Sequence, residues 1–105
     1  MATEKFVGKV AFITGGASGI GLGMATAFAA AGIKLVIADI EAAALQGAAA
    51  RLSADGAEVL PITLDVTDRR AIAAAADQAV AHFGGIDILC NNAGVTHPVR
   101  LDQSS

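Results

Sequence analysis

The 105-residue chain contains no tyrosine and no tryptophan, a single cysteine and two prolines. Without tyrosine it holds no phenol that can give or take a proton in general acid–base catalysis. One thiol, Cys90, excludes an internal disulfide and agrees with a reducing compartment. Charge is scarce too, at 16% of residues, and a net charge of -3 with scattered Lys and Arg offers no basic footprint for nucleic acid. Every apolar run is broken by Gly, Lys, Asp or Glu before it reaches the ~18 residues of a membrane span. The start, Met1 to Phe6, lacks a charged-then-apolar signal pattern, so the expected location is cytoplasmic, with no membrane partner. His82 and His97 have no partner at metal-ligand spacing, and no metal site is expected.

What remains is rich in alanine and 54% hydrophobic, a composition that suits a densely packed α/β protein and not a disordered chain. The length allows one core, in residues 1–105 taken as a single domain or as the N-terminal part of a longer one. The spacing of apolar residues predicts a strand over 9–13 and a helix over 19–31, with Ile20, Leu22, Met24, Ala27, Phe28 and Ala31 as its apolar face and Gly32 as its stop. A second buried strand over 35–38 ends at Asp39. An Ala-rich helix follows and stops near Asp55-Gly56. A third strand is expected over 57–62, with Pro61 near its end or on an edge, then a helix over 68–83 ending at Gly84-Gly85, and a fourth strand over 86–90. Asp68, Arg69 and Arg70 read as a solvated helix start. Strands alternating with helices imply right-handed crossovers and a parallel sheet, β-α-β-α-β-α-β in the order 3-2-1-4, with the ligand crevice at the reversal between strands one and four.

That crevice coincides with Thr14-Gly15-Gly16-Ala17-Ser18-Gly19-Ile20-Gly21, which joins the first strand to the first helix. A pyrophosphate is best met by backbone N–H groups at a helix N-terminus, where the macrodipole helps and side chains only obstruct. Gly15 suits the turn out of the strand, Gly19 the close approach of backbone to phosphate, and Gly21 the tight packing of helix on sheet. Ser18 adds a hydroxyl donor, and Thr14 can tie the loop to its neighbours. The spacing is G-x-x-x-G-x-G, not G-x-G-x-x-G, and Met24 stands where the latter needs its last glycine. By itself the loop is also compatible with an ordinary glycine-rich turn.

T-G-x-x-x-G-x-G after strand one resembles the short-chain dehydrogenase/reductase family in its compact branch. Three further stretches match in order: Asp39 after strand two, Asp65-Val66 after strand three, and Asn91-Asn92-Ala93-Gly94 after strand four. Together they cover nearly the whole chain. The resemblance implies a Rossmann-type doubly wound parallel sheet, here partial, and a nicotinamide dinucleotide cofactor. Asp39 stands 18 residues after Gly21, close to the ~20 at which an acid accepts from the adenosine ribose hydroxyls. A 2′-phosphate there would face a carboxylate. Ser18 and Ile40 occupy positions where phosphate-preferring relatives carry basic residues, so NAD is expected over NADP. The alternative for Asp39 is a cap on the next helix. By the same resemblance the Asp65 carboxylate meets the adenine amino group and the Val66 N–H a ring nitrogen, the alternative being a turn aspartate satisfied by local N–H groups. Asn91, Ala93 and Gly94 are implied to lie along the cofactor, while Asn92 serves it or the sheet. Cys90 ends a buried strand and reads as core filler, not as a nucleophile.

The family transfers the proton with a Tyr-x-x-x-Lys helix, a Ser and an Asn, none of which has a counterpart in these residues. The resemblance therefore implies an NAD-dependent oxidoreductase of alcohols or carbonyls for the full-length protein, with this chain as its cofactor-binding half. Its partners would be a small alcohol or carbonyl substrate. A non-catalytic nucleotide-binding or self-assembling module is the alternative, and an S-adenosylmethionine fold a third, which leaves Asn91 to Gly94 without a role. Ile86, Ile88 and Leu89 on an uncovered fourth strand predict self-association of the isolated chain or dependence on a missing segment, and a homo-oligomer is expected.

Overall fold

The computed structural model describes residues 6–17 and 19–92. Its elements run β1 (Val10–Thr14), α1 (Gly19–Ala30), β2 (Lys34–Asp39), α2 (Ala42–Ala54), β3 (Val59–Thr63), α3 (Arg69–Phe83) and β4 (Ile88–Asn91). The four strands form one parallel sheet in the order β3-β2-β1-β4, as the alternation of strands and helices requires. Phe12 pairs with Val36 on one side and Leu89 on the other, which fixes the register of the central strand.

Side chains of β1 and β2 alternate between two cores. Ala11, Ile13, Leu35 and Ile37 pack with Ala25 of α1 and Leu45, Ala48 and Leu52 of α2. Val10, Phe12, Val36 and Ala38 pack on the opposite face with Ala75 and Ala79 of α3. The runs Val10 to Ile13 and Leu35 to Ala38 are therefore apolar at every position, because each face is covered by helix. Lys34 extends over the Phe83 ring at 5.8 Å from its centroid, joining the start of β2 to the end of α3.

Several boundaries differ from the sequence reading for identifiable reasons. β4 starts at Ile88, two residues later than expected, because Asp87 replaces regular pairing: its N–H donates to Val10 O at 2.8 Å and its carboxylate accepts from Val10 N–H at 2.8 Å. Pro61 sits in the middle of β3, which is the outermost strand. Leu35 N–H donates to Glu58 O, so the alternation of a parallel ladder turns Leu60 and Ile62 toward β2 and the nitrogen of Pro61 outward, where no donor is needed. In α1 the face against the sheet centres on Gly21 and Ala25, with Leu22, Met24, Phe28 and Ala31 partly buried, whereas Ala27 is exposed and Ile20 is 74% exposed. The helix is apolar nearly all round, so its buried side is chosen by close approach of small residues, not by hydrophobicity. Asp68 is the N-cap of α3, accepting from the N–H groups of Arg70 (3.0 Å) and Ala71 (3.2 Å), and Gly84 closes that helix in the left-handed conformation.

Candidate functional site

The carboxyl end of the sheet gathers the first turn of α1, the ends of β1, β2 and β4, and the turn before α3. Gly15 takes φ 68° and Gly19 φ 59°, left-handed values that favour glycine. Gly21 has an ordinary φ, yet a Cβ there would collide with the Gly15 carbonyl oxygen and lie 2.9 Å from Asn92 Nδ2. Gly16 is a further requirement that spacing alone did not single out: a Cβ would lie 2.9 Å from Ile37 Cβ. The loop thus leaves β1 pressed against β2. Gly15 and Gly16 N–H both donate to Ala38 O, at 2.7 and 3.3 Å, and Ala17 N–H donates to Asp39 Oδ2 at 3.2 Å. The N–H groups of the first turn of α1, Gly19, Ile20 and Gly21, are those that a helix leaves without internal partners.

Asp39 does not cap α2. Glu41 holds the N-cap position, without a side-chain cap bond, and its N–H donates to Asp39 Oδ1 at 3.1 Å. Ile40 beside it is 58% exposed. Thr14 is buried and bridges two strands: its hydroxyl donates to Asn91 Oδ1 at 2.9 Å and accepts from Asn92 N–H at 3.0 Å. The glycine loop and the Asn91-Asn92 pair are thereby one connected unit at the reversal between β1 and β4.

Asp65 makes the local turn. Its Oδ1 accepts from the Thr67 hydroxyl at 2.7 Å and from Thr67 N–H at 2.9 Å, and these bonds, the hydroxyl first, hold its carboxyl below the usual carboxylate range. Both bonds fall on one oxygen. Val66 lies beside a cavity of about 360 Å³ between α3 and the β1–β4 pair, lined also by Phe12, Ile72, Leu89, Arg69 and Asn91. Cys90 packs against the core shared with α1 and α2, and burial pushes its thiol pKa up, the opposite of what a nucleophilic cysteine needs. Ser18, Ala93, Gly94 and His97 lie outside the described residues. No group of metal-ligating side chains occurs among the described residues, and no helix among them is long and apolar enough to cross a membrane.

A glycine-lined helix N-terminus at the topological reversal of a parallel sheet, with an acid at the end of β2, defines a nucleotide-binding α/β domain. The family model described as short chain dehydrogenase matches residues 9–105, so the chain belongs to that family. It is 48% identical over 91 residues to 1-deoxy-11-beta-hydroxypentalenate dehydrogenase of Streptomyces arenae, an alignment covering 87% of this chain and 32% of that protein. To 2,5-dichloro-2,5-cyclohexadiene-1,4-diol dehydrogenase of Sphingobium indicum it is 44% identical over 102 residues, covering 97% and 41%. Among solved structures, a Burkholderia phymatum short chain dehydrogenase/reductase in complex with NAD superposes with a TM-score of 0.79 at 43% identity, covering 80% of this chain and 30% of that one. The apo form of LigD from a Sphingobium species superposes with a TM-score of 0.83 at 44% identity, covering 95% and 43%. The chain therefore spans less than half the length of these relatives. Membership of the family removes the S-adenosylmethionine alternative.

Proposed function

We propose that this chain is the cofactor-binding half of an NAD-dependent oxidoreductase that interconverts an alcohol and a carbonyl compound. The observation that carries the reading is the glycine turn at the start of α1 with Asp39 directed at it from the end of β2. At Gly19, where a Cβ would meet nothing among the described residues within 4 Å, the turn offers bare backbone, which supports a cradle for the pyrophosphate. In that cradle the first-turn N–H groups of α1 hold phosphate oxygens, with the Ser18 hydroxyl beside them. Asp39 accepts from the adenosine ribose hydroxyls and repels a 2′-phosphate, and the exposed Ile40 offers no cation to offset that repulsion. Asp65, whose Oδ2 is not engaged by Thr67, takes the adenine amino group, and Val66 N–H a ring nitrogen. Asn91, Ala93 and Gly94 line the continuation toward the nicotinamide ribose. The bound nicotinamide supplies a two-electron acceptor or donor for the substrate carbon. Proton transfer falls to residues outside these 105, which contain no tyrosine, in a longer protein of which this is the N-terminal part. The substrate is a small alcohol or carbonyl compound, the compartment cytoplasmic, and the native state a homo-oligomer.

Calorimetric titration with NAD, NADP and ADP tests the reading. NAD is expected to bind at least about tenfold more tightly than NADP, a difference of ~1.4 kcal/mol. Equal or tighter binding of NADP overturns the role given to Asp39, and no binding of any of the three overturns the nucleotide site.

A further inference from the structure

Three consecutive backbone N–H groups of the glycine loop are taken up by the end of β2. Those of Gly15 and Gly16 meet Ala38 O, a contact that prolongs the strand pairing. The third, on Ala17, has no main-chain acceptor among the described residues and is met by a side chain, Asp39 Oδ2. The carboxylate is fixed in that direction from its other side, because Oδ1 accepts from Glu41 N–H. Ala17 itself is buried, and its neighbour Gly16 is wedged against Ile37, so the loop has one seat on β2 and Asp39 supplies its last attachment.

We propose that Asp39 is a positioning residue for the pyrophosphate loop in addition to its contact with ribose, an inference that rests on the nucleotide reading above. By holding Ala17 N–H, it turns the chain at residues 15–17 away from the ligand and leaves the first turn of α1 as the phosphate-binding surface. The two demands fall on separate oxygens, one N–H each, which a carboxylate meets and a single amide oxygen does not. Exchanging Asp39 to admit a 2′-phosphate therefore does more than lift a repulsion: it also loosens the loop that every phosphate of the cofactor uses.

The test compares Asp39→Ala with the unsubstituted full chain, using adenosine and ADP as probes. Both probes carry the ribose, and only ADP carries the diphosphate, so the ratio of their dissociation constants isolates the loop. Loss of a nearby negative charge alone raises the preference for ADP. Loss of the loop's attachment lowers it, and a fall of at least about threefold is expected; an unchanged or increased preference overturns the proposal. Amide hydrogen exchange without ligand supplies the second readout. Exchange at Ala17 is expected to accelerate at least about tenfold in Asp39→Ala while Phe12 in β1 stays protected, and unchanged exchange at Ala17, or equal acceleration at both, overturns it. Should that variant fail to fold, Asp39→Asn serves, with a smaller acceleration at Ala17 because one acceptor oxygen remains. An unsubstituted chain that binds neither probe sinks the nucleotide reading, while the exchange measurement still reports on the attachment itself.

Discussion

A methyl group at Gly21 has nowhere to go except into the Gly15 carbonyl oxygen, whereas one at Gly23, two residues along the same helix, meets nothing within 4 Å. The two substitutions should therefore have opposite signs. Gly21→Ala is expected to cost about 1–3 kcal/mol of stability as overpacking of backbone against backbone. Gly23→Ala should stabilise by roughly 0.5–1 kcal/mol by removing glycine's entropic cost from a helix interior; urea unfolding of both variants measures the pair. Asp65 yields a prediction in pH. Its folded-state pKa is depressed by Thr67, so the turn's contribution is complete above the unfolded value and is lost as pH falls through the folded one. Thr67→Ala should raise the Asp65 pKa toward the ordinary carboxylate value, read by NMR titration of its carboxyl carbon, and an unmoved pKa removes the hydroxyl as the cause. The need for Gly15 was legible in the sequence because the turn out of the strand asks for glycine, whereas Gly19 was read for close approach to phosphate and its left-handed backbone came from the structure. Gly16 was not, because its constraint is the side chain of Ile37 on another strand, 2.9 Å from where a Cβ would be.

Elements behave according to how local their determinants are. α3 is bounded by Asp68 and Gly84, two residues whose preferences act within one turn, and its extent could be read from the chain to within a residue. Asp68→Ala should remove both cap bonds and cost about 0.5–2 kcal/mol, measured by thermal unfolding, with Asp55→Ala as a reference beyond the end of α2. β4 was placed two residues early because Ile86 and Ile88 look equally strand-like. What separates them is the Asp87 carboxylate, which pairs with Val10 from 77 residues away in sequence and has no local signature. The buried side of α1 was similarly hidden, since apolar residues surround it and only the approach of the sheet selects Gly21 and Ala25.

For the whole molecule, the order β3-β2-β1-β4 follows from alternation and crossover handedness, and it gathers Thr14, the glycine loop, Asp39 and Asn91 at one end of the sheet. The site was legible as separate stretches of sequence. The bonds that unite them, Thr14 to Asn91 and Ala17 to Asp39, were not, because each links strands that meet only once the sheet has formed. The outer side of β4 remains: among the described residues it pairs with β1 alone, and Leu89 is 43% exposed beside the cavity under α3. The 105-residue chain is expected to self-associate there, with sedimentation velocity showing a species larger than a monomer and Leu89→Lys shifting it toward monomer. A monomeric unsubstituted chain at the same concentration rules this out.

Pro61 gives that association a limit. Its nitrogen occupies the outward side of β3, so one rim of the sheet lacks a donor where a neighbouring strand would look for one, while the other rim has no such block among the described residues. A building block with one open rim and one blunted rim is poorly suited to head-to-tail growth. Self-association through β4 is therefore expected to pair two copies rim to rim about a twofold axis and to stop at a dimer instead of growing into a fibre.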